Sequence, residues 1–215
     1  WLWAQLVFAA CLMPFISPIP IAGVDVQPIV FAISLLSLLY LAVLRRCPIT
    51  RLSPREAIFL GGALLSAVYL NPFHDDFAVA DLRKSCGFLA GFVVYLSVRH
   101  LLPFMSPWTL FLAVCTITAG WMLQWLAPGA YTAVADATLS RVSGLANDRG
   151  LNGFCPEPSF LSYTAILCIL LSSSFGPGSR RWPRWAHLAT LAMCLAGIAA
   201  SRAAMGAALG VLAVC

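Results

Sequence analysis

The sequence predicts an all-α fold, a polytopic bundle of transmembrane helices that forms a single domain over residues 1–215. Hydrophobic residues make up 61% of the chain, and its mean hydropathy is +0.89. Charged residues make up only 10%, whereas soluble globular proteins contain about 25%. Because the apolar residues are spread over the whole chain, neither a buried core nor a single anchor accounts for them.

Apolar runs mark the expected helices. They lie at residues 2–17, 26–44, 57–71, 85–102, 108–127, 158–175 and 186–215. A helix of about 20 residues crosses a hydrocarbon core about 30 Å thick, so we expect about seven spans, or eight if the last run turns near Arg202. The run at 57–71 is the weakest, because it is short and contains Gly61 and Gly62. The chain starts and stops inside apolar runs and has no signal-peptide pattern, which predicts a fragment of a longer protein.

Basic residues predict the orientation of the spans, because loops rich in Lys and Arg stay in the cytoplasm. Counting spans places Arg99 and His100 on the same side as the two arginine-rich loops, and leaves every acidic residue except Glu56 on the other side. The loop over about residues 128–157 of this multi-pass protein is therefore expected to face outward, away from the cytoplasm. This loop is small and polar and shows no strand pattern, so we expect it to be extended. The two arginine-rich loops carry Arg45, Arg46, Arg51 and Arg55, and Arg180, Arg181 and Arg184.

Composition also indicates which ligands and partners are expected. The net charge of +5 does not indicate nucleic-acid binding, because the arginines form no basic stripe with interleaved aromatic residues. A histidine and three aspartates within residues 74–81 offer metal ligands, but Arg83 and Lys84 lie nearby to neutralise the acids. Membrane lipids are expected partners, and neither a metal nor a cofactor is expected.

The main candidate site lies at the end of the outward loop, in the stretch RGLNGFCPEPSF at residues 149–160. Pro158 suits the first turn of a helix, which places Glu157 at the helix N-terminus. Free N–H groups and the helix dipole favour a negative charge there. Gly150 and Gly153 permit a tight turn or the close approach of a ligand.

Arginines in this loop are suited to binding phosphate groups. Arg149 presents a planar fork of donors that matches phosphate oxygens, and Arg141 lies upstream in the same loop. The stretch can thus hold a phosphorylated substrate beside a carboxylate. The alternative is that Arg149 and Glu157 form an exposed ion pair, which contributes only about 0–1 kcal/mol.

Arg202 is the only acidic or basic residue among residues 186–215, apart from His187. A helix that starts near Ala186 in the cytoplasm reaches Arg202 after roughly 24 Å, close to the outer boundary of the membrane. Ionisable residues within spans are functional candidates by default, although an arginine at this depth can also extend to the lipid headgroups. We therefore expect Arg202 to approach Arg149 and Glu157.

Two stretches carry a family resemblance. RVSGLANDRGLNGFCPEPSFLSYTAILCILL and IAASRAAMGAALGVL resemble the superfamily of O-antigen polymerases and O-antigen ligases. The resemblance covers about residues 140–210, and the earlier spans agree with the family only in being hydrophobic. The matching positions are Arg149, Gly150, Gly153, Glu157, Pro158, Ser159, Ser201 and Arg202.

The resemblance implies a GT-C-like fold and a glycosyltransferase that needs no nucleotide sugar and no metal. Its donor would be an oligosaccharide on undecaprenyl pyrophosphate, used on the outer face of the inner membrane. Arg149 and Arg202, with Arg141, would hold the pyrophosphate, and Glu157 would orient or deprotonate the acceptor hydroxyl or brace the arginines. The general base of the family lies in a second large loop, which would follow Cys215. A flippase and a chain-length regulator are further candidate partners.

Four functions remain open from the sequence, and the last of them is a scaffold subunit without activity, which would tolerate the loss of Arg149, Glu157 and Arg202 together. A polymerase of O-antigen or exopolysaccharide is favoured, because the Glu-Pro-Ser stretch is more typical of polymerases than of ligases. The second is an O-antigen ligase that transfers glycan to the lipid A core. The third is a transporter of a lipid-linked or anionic solute, but transporters place ionisable groups near the membrane midplane, whereas those of this chain gather at one face.

Overall fold

The computed structural model describes residues 2–16, 28–43, 53–54, 57–58, 60–62, 79–138, 150–155, 157–175 and 182–202. These residues are mostly helical and form no β-strand, which confirms the all-α prediction for the described part of the chain. The helices are α1 (Leu2–Leu12), α2 (Pro28–Val43), α3 (Val79–Leu101), α4 (Pro107–Leu126), α5 (Pro128–Thr138), α6 (Pro158–Ser174) and α7 (Arg184–Ser201). A 3-10 turn at Leu102–Phe104 follows α3.

Helix α4 is long and apolar enough to cross a membrane, and it is the one described helix that meets both criteria. Four further helical segments are apolar but contain only 10 to 17 residues; they are Leu2–Leu12, Ile29–Val43, Ala90–Phe104 and Pro158–Ser174. A polytopic bundle stays a prediction.

Local chemistry explains where the central helices begin. Ser106 is the N-cap of α4, and its hydroxyl accepts a hydrogen bond from the Trp108 N–H at 3.3 Å, which satisfies one of the free donors of the first turn. Proline follows at the first helical position of both α4 and α6. A proline loses no hydrogen bond at this position, so the predicted start of α6 at Pro158 is confirmed.

The outward loop differs from the prediction. We expected an extended segment from residue 128 onward, and this expectation is wrong for residues 128–138, which form α5. Its alanines favour helix. Tyr131 and Ala135, four residues apart on one face, are both fully buried. Tertiary packing of a short apolar stripe therefore decides the structure of this stretch.

Helix α7 ends earlier than the apolar run at 186–215 does. The helix ends at Ser201, and Arg202 takes a left-handed conformation with φ of 51°. Its backbone N–H donates to the Ala199 carbonyl at 3.2 Å. Helix α7 therefore ends at a turn at Arg202, and the number of spans stays a prediction.

The chain divides into two compact units. One comprises Pro28–Pro103, in which α2 packs against α3. The other, which we call the larger unit, comprises Trp1–Gln27 with Phe104–Cys215 and contains α1 and α4 to α7. The candidate site belongs to the larger unit, and the grouping of both units into one transmembrane domain stays a prediction.

Ring contacts define how α1 runs in the larger unit. Phe8 contacts Phe175 near the end of α6, with ring centroids 6.2 Å apart. Phe15, which follows α1, contacts Phe160 at the start of α6, with centroids 5.1 Å apart. Helices α1 and α6 are therefore antiparallel.

Hydrogen bonds define how α6 runs along α7. The Ser162 and Ser201 hydroxyls lie 2.5 Å apart, and the Ser172 hydroxyl lies 2.8 Å from His187 Nδ1. The start of α6 thus meets the end of α7, so these helices are antiparallel as well. The end at which α6 begins and α7 ends is called the site end.

The opposite end of the larger unit carries an aromatic cluster. Trp108 at the start of α4 lies with its ring centroid 5.8 Å from that of Trp185 and 6.1 Å from that of Trp182, at the start of α7. Helices α4 and α7 therefore run in the same direction. Their shared start lies at the end that the arginine pattern assigns to the cytoplasm.

Candidate functional site

Gly150 brings the loop segment that follows Arg149 against the end of α7. Its φ is 101°, and a Cβ at this position would lie only 2.2 Å from the Ser201 carbonyl oxygen. The next residue, Leu151, donates its N–H to the Ala200 carbonyl at 2.9 Å. The chain therefore lies directly on the last turn of α7, one residue away from Arg202.

Arg202 lies at the C-terminal cap of α7, and its side chain is exposed. The helix dipole places a partial negative charge at a helix C-terminus, which stabilises a cation there. A left-handed backbone costs a non-glycine residue about 1–2 kcal/mol. The exposed guanidinium is thus held at a turn, where an anionic ligand can reach it.

Glu157 is the N-cap of α6, as predicted, with an exposed side chain. Its carboxylate makes no capping hydrogen bond to the helix, and the Ser159 hydroxyl donates to it at 3.5 Å. Ser162, which meets Ser201, lies five residues further on, or about 7.5 Å along the helix axis. Glu157 and Arg202 therefore belong to the same end of the larger unit.

The structure places some of the predicted site residues and not others. Gly150, Gly153, Glu157 and Pro158 lie with Arg202 at the site end. Arg149 and Arg141 lie outside the described residues, as do the histidine and two aspartates at 74–76. The roles of the two loop arginines in holding a pyrophosphate stay predictions.

The structure adds a buried polar pair that the sequence analysis missed. Gln124 of α4 and Asn152 of the loop are 7% and 4% exposed, and Gln124 Nε2 donates to Asn152 Oδ1 at 2.6 Å. Gln124 Oε1 accepts from the N–H groups of Asn152 and Gly153, both at 2.9 Å. A signal for this pair exists in the stretch WMLQWL, where an amide interrupts an apolar helix.

Cys155, the last residue of the described stretch 150–155, has a buried thiol that is 3% exposed. Burial raises the pKa of this thiol to about 12, an effect that a hydrogen bond with Thr164 partly opposes. Burial likewise raises the pKa of Tyr131 to about 12, with a smaller contribution from the nearby Cys155. Cys155 therefore stays protonated at neutral pH, and a thiolate nucleophile at this position is not favoured.

Comparison with protein-family models, curated proteins and solved structures finds no match for this chain.

Proposed function

We propose that this protein is a membrane glycosyltransferase that polymerises a surface polysaccharide from undecaprenyl-pyrophosphate-linked units on the outer face of the bacterial plasma membrane. The observation that carries the proposal is the contact between Gly150 and the Ser201 carbonyl. Each of these residues is the sequence neighbour of an arginine, Arg149 in one case and Arg202 in the other. The contact therefore supports a shared site for two guanidinium groups from distant parts of the chain.

Helix directions support a bundle that crosses the membrane several times. Helices α1 and α7 are antiparallel to α6, and α4 runs parallel to α7. The positive-inside rule assigns the same directions from the arginines alone. In this topology the site end is the outer end.

The proposed reaction needs charge stabilisation more than strong acid catalysis. The acceptor hydroxyl oxygen attacks the anomeric carbon of the donor, and the bond between that carbon and the pyrophosphate oxygen breaks. The electron pair leaves with the lipid pyrophosphate, whose negative charge Arg149 and Arg202 stabilise. Glu157 orients the hydroxyl or accepts its proton, and the shared site aligns both substrates.

Purified full-length protein in liposomes tests this function. With a lipid-linked oligosaccharide of one repeat unit as the only substrate, we expect a ladder of longer lipid-linked products, resolved by gel electrophoresis. The matched reaction with added lipid A core separates a polymerase from a ligase, which would form only the core-linked product. Movement of the substrate across the bilayer without any new glycosidic bond would reject the enzyme and favour a transporter.

A further inference from the structure

Gln124 holds the loop segment over residues 150–155, which we call the anchored segment. All three hydrogen bonds of the Gln124 side chain are made to this segment. Its Oε1 accepts from two backbone N–H groups, and its Nε2 donates to one side-chain oxygen. A buried amide whose bonds all go to one loop fixes the position of that loop, because each broken bond leaves a buried group unsatisfied.

Other contacts fix the same segment from the same side. The Tyr131 hydroxyl of α5 donates to the Gly153 carbonyl. Gly153 has a φ of 55°, and a Cβ there would lie 3.2 Å from the Trp121 backbone nitrogen. The middle of the anchored segment is thus seated against α4 and α5.

The anchored segment makes different kinds of contact on its α4 side and on its α7 side. On the α4 side the anchored segment is held by buried hydrogen bonds, and on the α7 side Gly150 and Leu151 lie on Ser201 and Ala200. Gln124 is itself buried, so it has no access to a substrate. Its influence on the site must pass along the anchored segment.

We propose that Gln124 is a positioning residue, which seats Asn152 and Gly153 so that Gly150 lies on the last turn of α7, next to Arg202. This inference rests on the proposed function for its effect on catalysis. The seating itself does not depend on that function, and it can be measured separately.

The discriminating pair of variants is Gln124→Met and Gln124→Glu. Methionine has nearly the same length but forms none of the three hydrogen bonds. Burial favours the neutral form of the carboxyl group in Gln124→Glu. This carboxyl accepts from both backbone N–H groups with one oxygen and donates to Asn152 Oδ1 with the other, so it keeps all three hydrogen bonds. We therefore expect Gln124→Glu to rescue what Gln124→Met loses.

Gln5 offers a matched control at the opposite end of the larger unit. Its side chain also makes three hydrogen bonds, donating to the Phe104 carbonyl and accepting from the Ser106 N–H and the Thr109 hydroxyl. Gln5→Met therefore removes the same number of hydrogen bonds far from the anchored segment. It reports the effect of lost stability alone.

Two readouts are taken on the full-length protein. The first is disulfide formation between Leu151→Cys and Ala200→Cys, whose backbones are hydrogen-bonded and therefore close enough to be bridged. The second is the transfer rate from the lipid-linked oligosaccharide, measured without those cysteines. We expect Gln124→Met to lose the crosslink and about 100-fold in transfer, the scale of a misplacement of about 1 Å. Gln124→Glu and Gln5→Met should stay near wild type in both.

The outcomes separate the two proposals. If Gln124→Met keeps the crosslink and the transfer rate, or if Gln124→Glu is equally impaired, Gln124 is not a positioning residue. Loss of the crosslink with an unchanged transfer rate also overturns the proposal. If the wild-type protein forms the crosslink but transfers no sugar, the proposed function alone is rejected, and loss of the crosslink in Gln124→Met still supports the seating.

Discussion

Replacement of Gly150 by alanine is expected to slow polymer formation about 100-fold. The added Cβ would lie 2.2 Å from the Ser201 carbonyl oxygen, and the obstacle is backbone, which cannot rotate away as a side chain can. The φ of 101° also falls in a region that alanine rarely adopts. The loop must therefore lift from α7, and we expect a loss of transfer of about 100-fold, as for other small misplacements of catalytic groups.

Gly129→Ala is the matched control for this variant. Gly129 lies within α5, and outside its own helical turn no atom of the described residues lies within 4 Å of the position that an added Cβ would take. Alanine favours a helix over glycine by about 1 kcal/mol, so Gly129→Ala should keep full activity and a stability at or above that of wild type. Transfer by Gly150→Ala at the wild-type rate would show that the contact with Ser201 is irrelevant to the reaction.

Loss of the Arg202 guanidinium should have the second large effect. Removal of one preorganised charge-stabilising group costs about 100- to 1000-fold in turnover, and we expect Arg202→Ala to fall in this range. Arg202→Lys keeps the charge but loses the planar fork that matches two phosphate oxygens, so it should retain intermediate activity. The measurement is the rate of chain extension in liposomes, with insertion of the protein checked for each variant.

Arg184→Ala controls for the loss of a positive charge from the same helix. Arg184 is the first residue of α7 and is exposed, but it lies at the other end of the helix, about 27 Å from Arg202 by helical rise. It should therefore leave chain extension unchanged. Equal effects of the two alanine variants would indicate that net charge, and not a local contact, determines activity.

The apolar runs predicted several helices closely because length and hydropathy are local properties. The run at 108–127 corresponds to α4 at Pro107–Leu126, and the run at 158–175 corresponds to α6 at Pro158–Ser174. Helix α3 instead begins at Val79, six residues before the run at 85–102. Its first turns contain Asp81, Arg83 and Lys84, which hydropathy does not mark as helical.

The candidate site was predictable only where local chemistry defines it. Glu157 at the start of α6 followed from the proline after it. The hydrogen bonds of Gln124 join it to residues 28 and 29 positions away, and no local pattern encodes such a pairing. Helix α5 was missed for the same reason, since its buried face at Tyr131 is defined by packing against other parts of the chain.

The central claim of the proposed function is that Arg149 and Arg202 together bind a diphosphate. The most direct measurement is chemical crosslinking of the full-length protein that carries Arg149→Cys and Arg202→Cys, with a short bifunctional maleimide. We predict an efficient crosslink within one chain. A pair made from Arg184→Cys and Arg202→Cys should not react in this way. Failure of the first pair to crosslink, with both cysteines shown to be accessible, would contradict the account.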